Sequence, residues 1–365
     1  MIVKSLYLRN FLSYEEIKLN FDDGLNIIRG HNASGKTNLV EAILMSSIGK
    51  TARNIRDKDI INWNADGEEG ATVITEVKKK HGDHTVEIYI NAAGQKFIKI
   101  DQTPISRLGE LLGEISAVYF SPDELKLIKE SPADRRKFID ISLSQQSKTY
   151  FYTLIKYNKL LKHRNKLLKE YKDKTALEEM LSVVDESLLP CVELITLKRK
   201  EFIEKIQPFA QEQHGKITGG KESMEIKYET EDIDFSDIKA SMKELYLKNR
   251  EKDRKMEYTN NGVHRDDLKI MAGGIDVRKY GSQGQQRTAV LSLKLAEIFM
   301  FKSVAGEFPV LLLDDVLSEL DYDRQKALLE VTNNLQTIIT CTEFDKSLAK
   351  GREYKDIAIK KRTTA

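Results

Sequence analysis

The first 120 residues alternate apolar and polar positions in the way that β-strands do. The alternation is clearest at 17–21 and 86–90, where every second side chain is apolar. A repeat of two places these side chains on one face of a sheet. Turn-forming residues at 22–24, 81–83 and 91–94 separate the runs. The segment therefore predicts a β-rich lobe.

From about residue 133 to 213 the pattern changes to the spacing of helices. Leu154, Tyr157, Leu161 and Leu168 recur at intervals of three, four or seven and form an apolar stripe. Pro190 predicts a break or kink in this helical run. The polar segment 214–260 contains three glycines near its start and predicts a loop with short elements.

Strands return after about residue 262. The pair Gly273–Gly274 predicts a hairpin turn, and a helix is predicted from about 285 to 304. The apolar run 310–313 lies between Pro309 and two aspartates. An uninterrupted apolar run is typical of a central parallel strand that is covered on both faces.

Composition narrows the class of protein. The chain has 365 residues, enough for about two domains, and its net charge of +2 leaves only local patches for binding polyanions. Two cysteines exclude a disulfide framework and a four-cysteine zinc site. The absence of a long apolar stretch predicts no membrane span, and low cysteine use fits the cytoplasm.

Residues 30–37 read GHNASGKT and match the phosphate-loop pattern in full. A short strand precedes the loop and an apolar helix follows it, as the pattern requires. Glycines let the backbone N–H groups wrap phosphate, and the helix N-terminus adds positive partial charge. A chance match in a strand–turn–helix loop is the alternative. The predicted nucleotide contacts are Gly30, His31, Asn32, Ala33, Ser34, Gly35, Lys36, Thr37 and Asn38.

Asp314 and Asp315 follow the predicted buried strand. An acid at this place is the expected Mg²⁺ partner of a phosphate loop, and Thr37 would supply a hydroxyl to the same ion. The next acid is placed to orient or deprotonate the attacking water, so Lys36 and Asp315 are the predicted catalytic residues. A pair of helix N-cap residues is the alternative interpretation of the two acids.

The segment 280–287 places Ser282, Gly284 and Gln285 at the start of a helix. A hydroxyl and free N–H groups at this position make another candidate anion site, although an ordinary N-cap has the same pattern. Between the phosphate loop and the acids, the segment resembles an ABC signature. Lys36 and Asp314 are so far apart in sequence that the helical segment must be an insertion.

Several further motifs resemble the bacterial RecF family and, more distantly, the heads of SMC ATPases. They run in the expected order over essentially the whole chain: residues 6–11, 30–38, 120–125, 131–140, 262–268 and 313–321. The implied fold is α/β, a split ABC-type P-loop ATPase head with an inserted α-helical lobe. The head would comprise 1–120 and 261–365, with a β-rich first part and an α/β second part, and the helical lobe 121–260.

The resemblance implies an ATP-dependent DNA-binding recombination mediator that pairs into a homodimer around ATP and Mg²⁺. Each signature would meet the γ-phosphate held by the other subunit, and residues 318–321 resemble the D-loop of that interface. The DNA would be duplex or single-strand–duplex junctions. RecR and RecO are the implied partners, recombinase loading the implied task, and replication restart and the SOS response the implied setting.

Two departures from the ABC pattern predict a weak ATPase used as a switch. Asp315 stands where most such heads have Glu, which is one methylene longer. The strand at 336–342 lacks the switch histidine, and Thr340, Cys341 and Thr342 all stay open as its replacement.

Two basic patches are candidate DNA contacts. Lysines at 156, 159, 162, 166 and 169 fall on one predicted helical face, and Arg135 and Arg136 form the second patch. A solvated basic face is the alternative for both. The named candidates are Lys156, Lys159, Lys162, Lys166, Lys169, Arg135 and Arg136. The single tryptophan, Trp63, is predicted to pack in the core.

Two other functions share the nucleotide motifs. A transporter's nucleotide-binding subunit has the same three sites, but it does not need the long basic insertion between Lys36 and Ser282. A non-enzymatic clamp would use ATP only to join its subunits, and measurable turnover separates it from a switch.

Overall fold

The computed structural model describes residues 1–171, 173–349 and 351–360, so the end of the predicted head, 361–365, lies outside the described residues. The strands, in chain order, are β1 (Ile2–Phe11), β2 (Tyr14–Asn20), β3 (Leu25–Arg29), β4 (Ala71–Lys79), β5 (Gly82–Ile90), β6 (Lys96–Ile100), β7 (Thr103–Ile105), β8 (Ala117–Phe120), β9 (Met224–Glu229), β10 (Asp267–Ala272), β11 (Ile275–Asp276), β12 (Val310–Asp314), β13 (Thr337–Cys341) and β14 (Tyr354–Ala358).

The described part of the chain also contains ten α-helices. They are α1 (Lys36–Ile48), α2 (Leu108–Leu111), α3 (Lys126–Lys129), α4 (Pro132–Gln146), α5 (Lys148–Glu170), α6 (Lys174–Thr218), α7 (Ile238–Met256), α8 (Val277–Tyr280), α9 (Gln283–Ala305) and α10 (Tyr322–Val331). Short 3-10 turns cover Asp57–Ile60, Pro122–Leu125, Val316–Glu319 and Lys346–Ala349. None of the helices in the described ranges is both long and apolar enough to cross a membrane.

The strands form three sheets. A six-stranded antiparallel sheet has the order β2-β1-β4-β5-β6-β7, and a three-stranded antiparallel sheet has the order β11-β10-β9. The third sheet is parallel, with the order β14-β3-β13-β12-β8. It takes β3 and β8 from the first third of the chain and its other strands from the last third. The predicted split α/β head is therefore confirmed.

The parallel sheet is covered on both faces, which explains why its strand β12 is apolar from Val310 to Leu313. Leu312 and Ile338 pack on one face in the cluster that surrounds α1 and reaches the six-stranded sheet. Leu313 and Ile339 pack on the other face in the cluster formed with α4, α5, α6 and α9. Every residue of β12 is buried, as the apolar run predicts. This packing fixes the carboxyl end of β12 beside those of its neighbours.

The helical part of the chain differs from the sequence prediction at two places. The predicted break at Pro190 is absent, since α6 runs for 45 residues through Pro190 and Pro208, while the predicted kink stays a prediction. The segment 214–260 is not mainly loop: it contains β9 and the 19-residue α7, whose buried stripe includes Ile238, Met242 and Tyr246. Because the exposed positions of α7 are mostly charged, composition hid its narrow apolar stripe.

Buried ion pairs join the helices to the segment before β10. Arg199, 2% exposed, donates to Asp140 and Asp266, and Arg164, fully buried, donates to Asp185 and Asp253. The cost of removing such charges from water is offset only when each is paired and hydrogen-bonded. The boundaries 120/121 and 260/261 stay a prediction. Across the second of them, β9 pairs with β10.

Candidate functional site

The phosphate loop connects the end of β3 to the start of α1, as predicted. Gly35 adopts φ +94° directly before α1, and a Cβ there would lie 2.6 Å from Ser13 Oγ. A Cβ on Gly30 would lie 2.7 Å from the carbonyl oxygen of Ile359. Both positions therefore require glycine, one for its backbone angle and both for space.

The Lys36 side chain lies inside the phosphate loop, where it is predicted to contact phosphate. Its Nζ donates to the carbonyl oxygens of Gly30 at 2.7 Å and His31 at 2.9 Å. The side chain is buried in this position, whereas His31, Asn32 and Ala33 are exposed at the rim. The remaining loop residues are partly buried: Gly30, Ser34, Gly35, Thr37 and Asn38. Asn38 donates to Ser13 Oγ at 2.8 Å, which ties the helix start to the turn after β1.

The two acids meet the phosphate loop because β13 lies between β3 and β12. Thr340 of β13 is the register partner of both Ile28 and Asp314. Thr37 Oγ1 donates to Asp314 Oδ1 at 3.0 Å, and Thr340 Oγ1 donates to the same oxygen at 2.7 Å. Residues far apart in sequence are therefore in direct contact.

The pair Thr37 and Asp314 fits Mg²⁺. Both offer hard oxygen atoms, and Mg²⁺ is usually bound by one or two carboxylates together with phosphate oxygens and water. Their contact at 3.0 Å puts the two oxygens close enough to share one ion. Bound there, Mg²⁺ would neutralise phosphate charge.

Asp315 has an unusual backbone and a shifted acidity. It lies in the left-handed region at φ 53°, and its N–H donates to Thr340. Burial raises the pKa of its carboxyl, while nearby Lys36 opposes the shift. A carboxylate with a raised pKa is a better proton acceptor than an ordinary aspartate.

Ser282 begins α9 with a capping box. Its Oγ accepts the N–H of Gln285 at 3.2 Å, and Gln285 Oε1 accepts the N–H of Ser282 at 3.0 Å. The N-cap interpretation is therefore confirmed, and it leaves the anion-site prediction open because Ser282 remains exposed. Gly284 is partly buried at the first turn of α9.

Two arginines join the signature segment to the segment after the acids. Arg287 donates to the Glu319 carbonyl at 2.8 Å and to its carboxylate at 2.9 Å. Arg324 donates to the carbonyl of Gly284 at 3.3 Å and also pairs with Asp321. The signature and the residues that resemble a D-loop thus form one continuous surface.

Sequence reasoning missed one residue at the acids and left another unresolved. Tyr119, at the end of β8, donates its hydroxyl to Asp314 Oδ2 at 3.2 Å. Among the three candidates for the missing histidine, Thr340 contacts both acids, Cys341 is buried with its pKa raised to about 11, and Thr342 is exposed. Parallel pairing of β8 with β12 was the signal that could have identified Tyr119.

The two basic patches have different surroundings. Lys156, Lys159, Lys162, Lys166 and Lys169 are all exposed on α5. Arg135 is only 1% exposed and forms a two-point pair with Asp267, so its predicted DNA contact is wrong. Arg136 is partly buried and donates to the carbonyl of Asp266 at 2.6 Å.

Comparison with solved structures supports the architecture. A structure described as the recombination mediator protein RecF-ATPrS in the RecFOR pathway has a TM-score of 0.89 and 35% identity, and the match covers 99% of this chain and 98% of that one. A Pyrococcus furiosus Smc head domain has a TM-score of 0.56 and 19% identity over 99% of this chain and 94% of that one. The second likeness shows only that the fold is shared.

Comparison of sequences gives the same family. A family model described as the RecF/RecN/SMC N terminal domain matches residues 2–364. Curated proteins named DNA replication and repair protein RecF are 44% identical in Clostridium perfringens strain SM101 over 345 residues and in Alkaliphilus oremlandii over 350 residues. Each match covers 94% of this chain and 94% of the relative. The chain therefore belongs to the RecF family of DNA replication and repair proteins.

Proposed function

We propose that this chain is an ATP-switched, DNA-binding recombination mediator that works as a homodimer. The observation that carries the proposal is that the nucleotide motifs form two sets of contacts on one protomer. The phosphate loop and Asp314 form one, through the Thr37 contact, and the signature joined to the D-loop-like segment forms the other. A second copy would bring its signature surface to the phosphate loop and complete the site.

ATP binds first to the single protomer in this proposal. The N–H groups of residues 30–37 surround its phosphates, and Lys36 exchanges its two carbonyl contacts for phosphate oxygens. Tyr119 and Thr340 keep the Asp314 carboxylate in place for Mg²⁺. The partly buried loop and the helix N-terminus thus stabilise the negative charge of the phosphates, and the sheet need not rearrange.

Pairing follows because the bound γ-phosphate still has an open side. Ser282 and Gly284 of the second copy offer a hydroxyl and backbone N–H groups at the start of α9. Asp315 accepts the proton of the attacking water, and its short side chain keeps turnover slow, so ATP acts as a timer. A clamp that never hydrolyses ATP is the competing function, and the short Asp315 favours that alternative as well.

DNA engagement uses the lysine face of α5 in this proposal. Five exposed lysines on one helix offer a track for the phosphate backbone without reading bases. We expect the chain to act on gapped or junction DNA. The expected partners are RecR and RecO, and the expected task is to load a recombinase. This expectation rests on relatives described as acting in the RecFOR pathway. The expected place of action is the cytoplasm.

Sedimentation with and without ATP and Mg²⁺ tests the proposal. We expect the protein to sediment as a protomer alone and as a dimer with ATP, and to return slowly to protomer as phosphate is released. Duplex, single-stranded and junction DNA, added separately, should shift the dimer only. A lack of ATP-dependent pairing would exclude the switch, and pairing without any phosphate release would favour the clamp.

Reversing three charges on α5 should reduce the salt dependence of DNA binding. With Lys159, Lys162 and Lys166 changed to Glu, the slope of log K against log salt should fall by about two to three, since each duplex phosphate contact contributes about 0.9. Fluorescence anisotropy with labelled duplex at several salt concentrations measures this slope. The matched control reverses Lys248, Lys252 and Lys255, which are exposed on a different helix, α7. An unaltered slope in the α5 variant would assign the phosphate contacts to another surface.

A further inference from the structure

Gln285 makes a third contact that the capping box does not need. Its Nε2 donates to Glu222 Oε1 at 3.1 Å. Glu222 lies in the turn between the end of α6 and the start of β9, and the turn is fixed by a hydrogen bond from the Gly273 N–H to the Ser223 carbonyl at 2.9 Å. One carboxylate from the helical part of the chain therefore reaches the signature.

The second oxygen of Glu222 faces a buried histidine of α6. His214 is fully buried, and its Nε2 lies 3.6 Å from Glu222 Oε2. His214 Nδ1 lies 3.0 Å from Ser292 Oγ on α9, while the Ser292 hydroxyl donates to the Thr288 carbonyl at 2.7 Å. A hydroxyl has one proton, so Ser292 must accept from Nδ1–H. This assignment fixes the tautomer of the neutral ring.

Nε2 of His214 is therefore an acceptor in the neutral ring. It is buried without a hydrogen-bond partner among the described residues, and it is aimed at Glu222. Burial lowers the pKa of His214, and the neighbouring Glu222 opposes this shift. A proton or a donor group between Nε2 and the carboxylate would satisfy both.

We propose that Glu222 is a positioning residue that joins the end of α6 to the signature through Gln285. The inference rests on the proposed function, in which Ser282 and Gly284 act on the nucleotide of a second copy. Because Gln285 Oε1 also accepts the Ser282 N–H, a shift of Glu222 is passed directly to the residue that begins α9. The helical lobe and the signature therefore move together.

The long helix α6 connects the Glu222–Gln285 contact to α5. α6 runs for 45 residues, packs against both the basic helix α5 and α9, and ends at Thr218, four residues before Glu222. If DNA binding displaces α5 and α6, Glu222 would shift Gln285 directly, and the phosphate loop would not take part. The contact thus offers a route by which DNA alters pairing while ATP affinity stays constant.

Four proteins test the inference: wild type and the variants Glu222→Ala, Glu222→Gln and Glu225→Ala. Alanine at 222 removes the acceptor of Gln285. Glutamine restores an acceptor oxygen for Gln285 and adds an N–H₂ group that can donate to the His214 Nε2. The Glu222→Gln variant should therefore behave like wild type. Glu225, exposed on β9 and paired only with Lys227 among the described ion pairs, is the matched control for lost charge.

Hydrogen exchange of the nucleotide-free protomer is the first measurement. Exchange of the amides at 282–288 should become about fivefold faster in Glu222→Ala, because the cap loses a charge-assisted bond, and should stay at the wild-type rate in the other two variants. Equal rates in all four proteins, or equal acceleration in Glu222→Ala and Glu222→Gln, would overturn the inference. This measurement does not depend on pairing.

Sedimentation with ATP is the second measurement. The association constant of the ATP-bound dimer should fall about tenfold in Glu222→Ala, because a symmetric dimer contains two such sites. The affinity of the protomer for ATP should be unchanged. Lost ATP binding in that variant would show a general structural role and overturn the inference. If exchange behaves as expected but wild type never pairs, the positioning role stands and the proposed function fails.

Discussion

Replacing Lys36 with methionine should lower the ATP affinity of the protomer about a hundredfold and abolish ATP-driven pairing. Lys36 is the cation held inside the phosphate loop, where its Nζ already has two oxygen partners. Charge-assisted bonds to phosphate are about twice as strong as neutral ones, and methionine can make none of them. Titration with a fluorescent ATP analogue measures the first effect, and sedimentation with ATP measures the second.

Lys50→Met is the control for the loss of one positive charge. Lys50 is exposed and lies two residues beyond the end of α1, so it should bind ATP and pair like wild type. Thermal unfolding of both variants checks that the fold is kept. Unchanged ATP-dependent sedimentation of Lys36→Met would contradict the assignment of the phosphate loop.

Replacing Ser282 with arginine should leave ATP binding by the protomer intact but prevent pairing. Ser282 is exposed at the start of α9. Its described hydrogen bonds go to Gln285 and, through its carbonyl, to the Gln286 N–H, and none goes to the phosphate loop. A long cation at this position meets a neighbour only when a second copy approaches. ATP titration and sedimentation on the same preparation separate the two effects.

Ser282→Ala distinguishes the clash from the loss of the cap. Removing an N-cap hydroxyl costs about 1 kcal/mol of stability, so both variants should melt a few degrees below wild type. Only the arginine variant should lose pairing completely. Loss of ATP binding by the arginine variant as a protomer would show that the signature acts within its own subunit.

The parts of the site that could be predicted from sequence are those set by local rules. A glycine-rich loop between a strand and a helix, an acid after a buried strand, and a serine followed by glutamine three residues later each have a short-range physical cause. Thr37, Asp314 and Ser282 were identified in this way. Their places in the structure agree with the sequence patterns.

Predictions failed where distant partners decide the outcome. Arg135 is adjacent to Arg136 in sequence, but Asp267, which pairs with it, comes from β10. The predicted break at Pro190 does not occur because α6 is packed against both α5 and α9, which offsets the loss of one backbone hydrogen bond. Trp63, predicted in the core, is 90% exposed. These outcomes depend on tertiary contacts, which the local sequence does not reveal.

The strand order of the parallel sheet also fixes when the nucleotide site can exist during biosynthesis. β3, which leads into the phosphate loop, is bordered by β13 and β14, and the acid Asp314 belongs to β12 between β13 and β8. Thr37 is therefore synthesised 277 residues before Asp314, the carboxylate that it contacts. A nascent chain that has not yet reached Asp314 carries the phosphate loop without the acid that contacts Thr37. Folding of this sheet waits for its last strands, as expected for contacts between the two ends of a long chain.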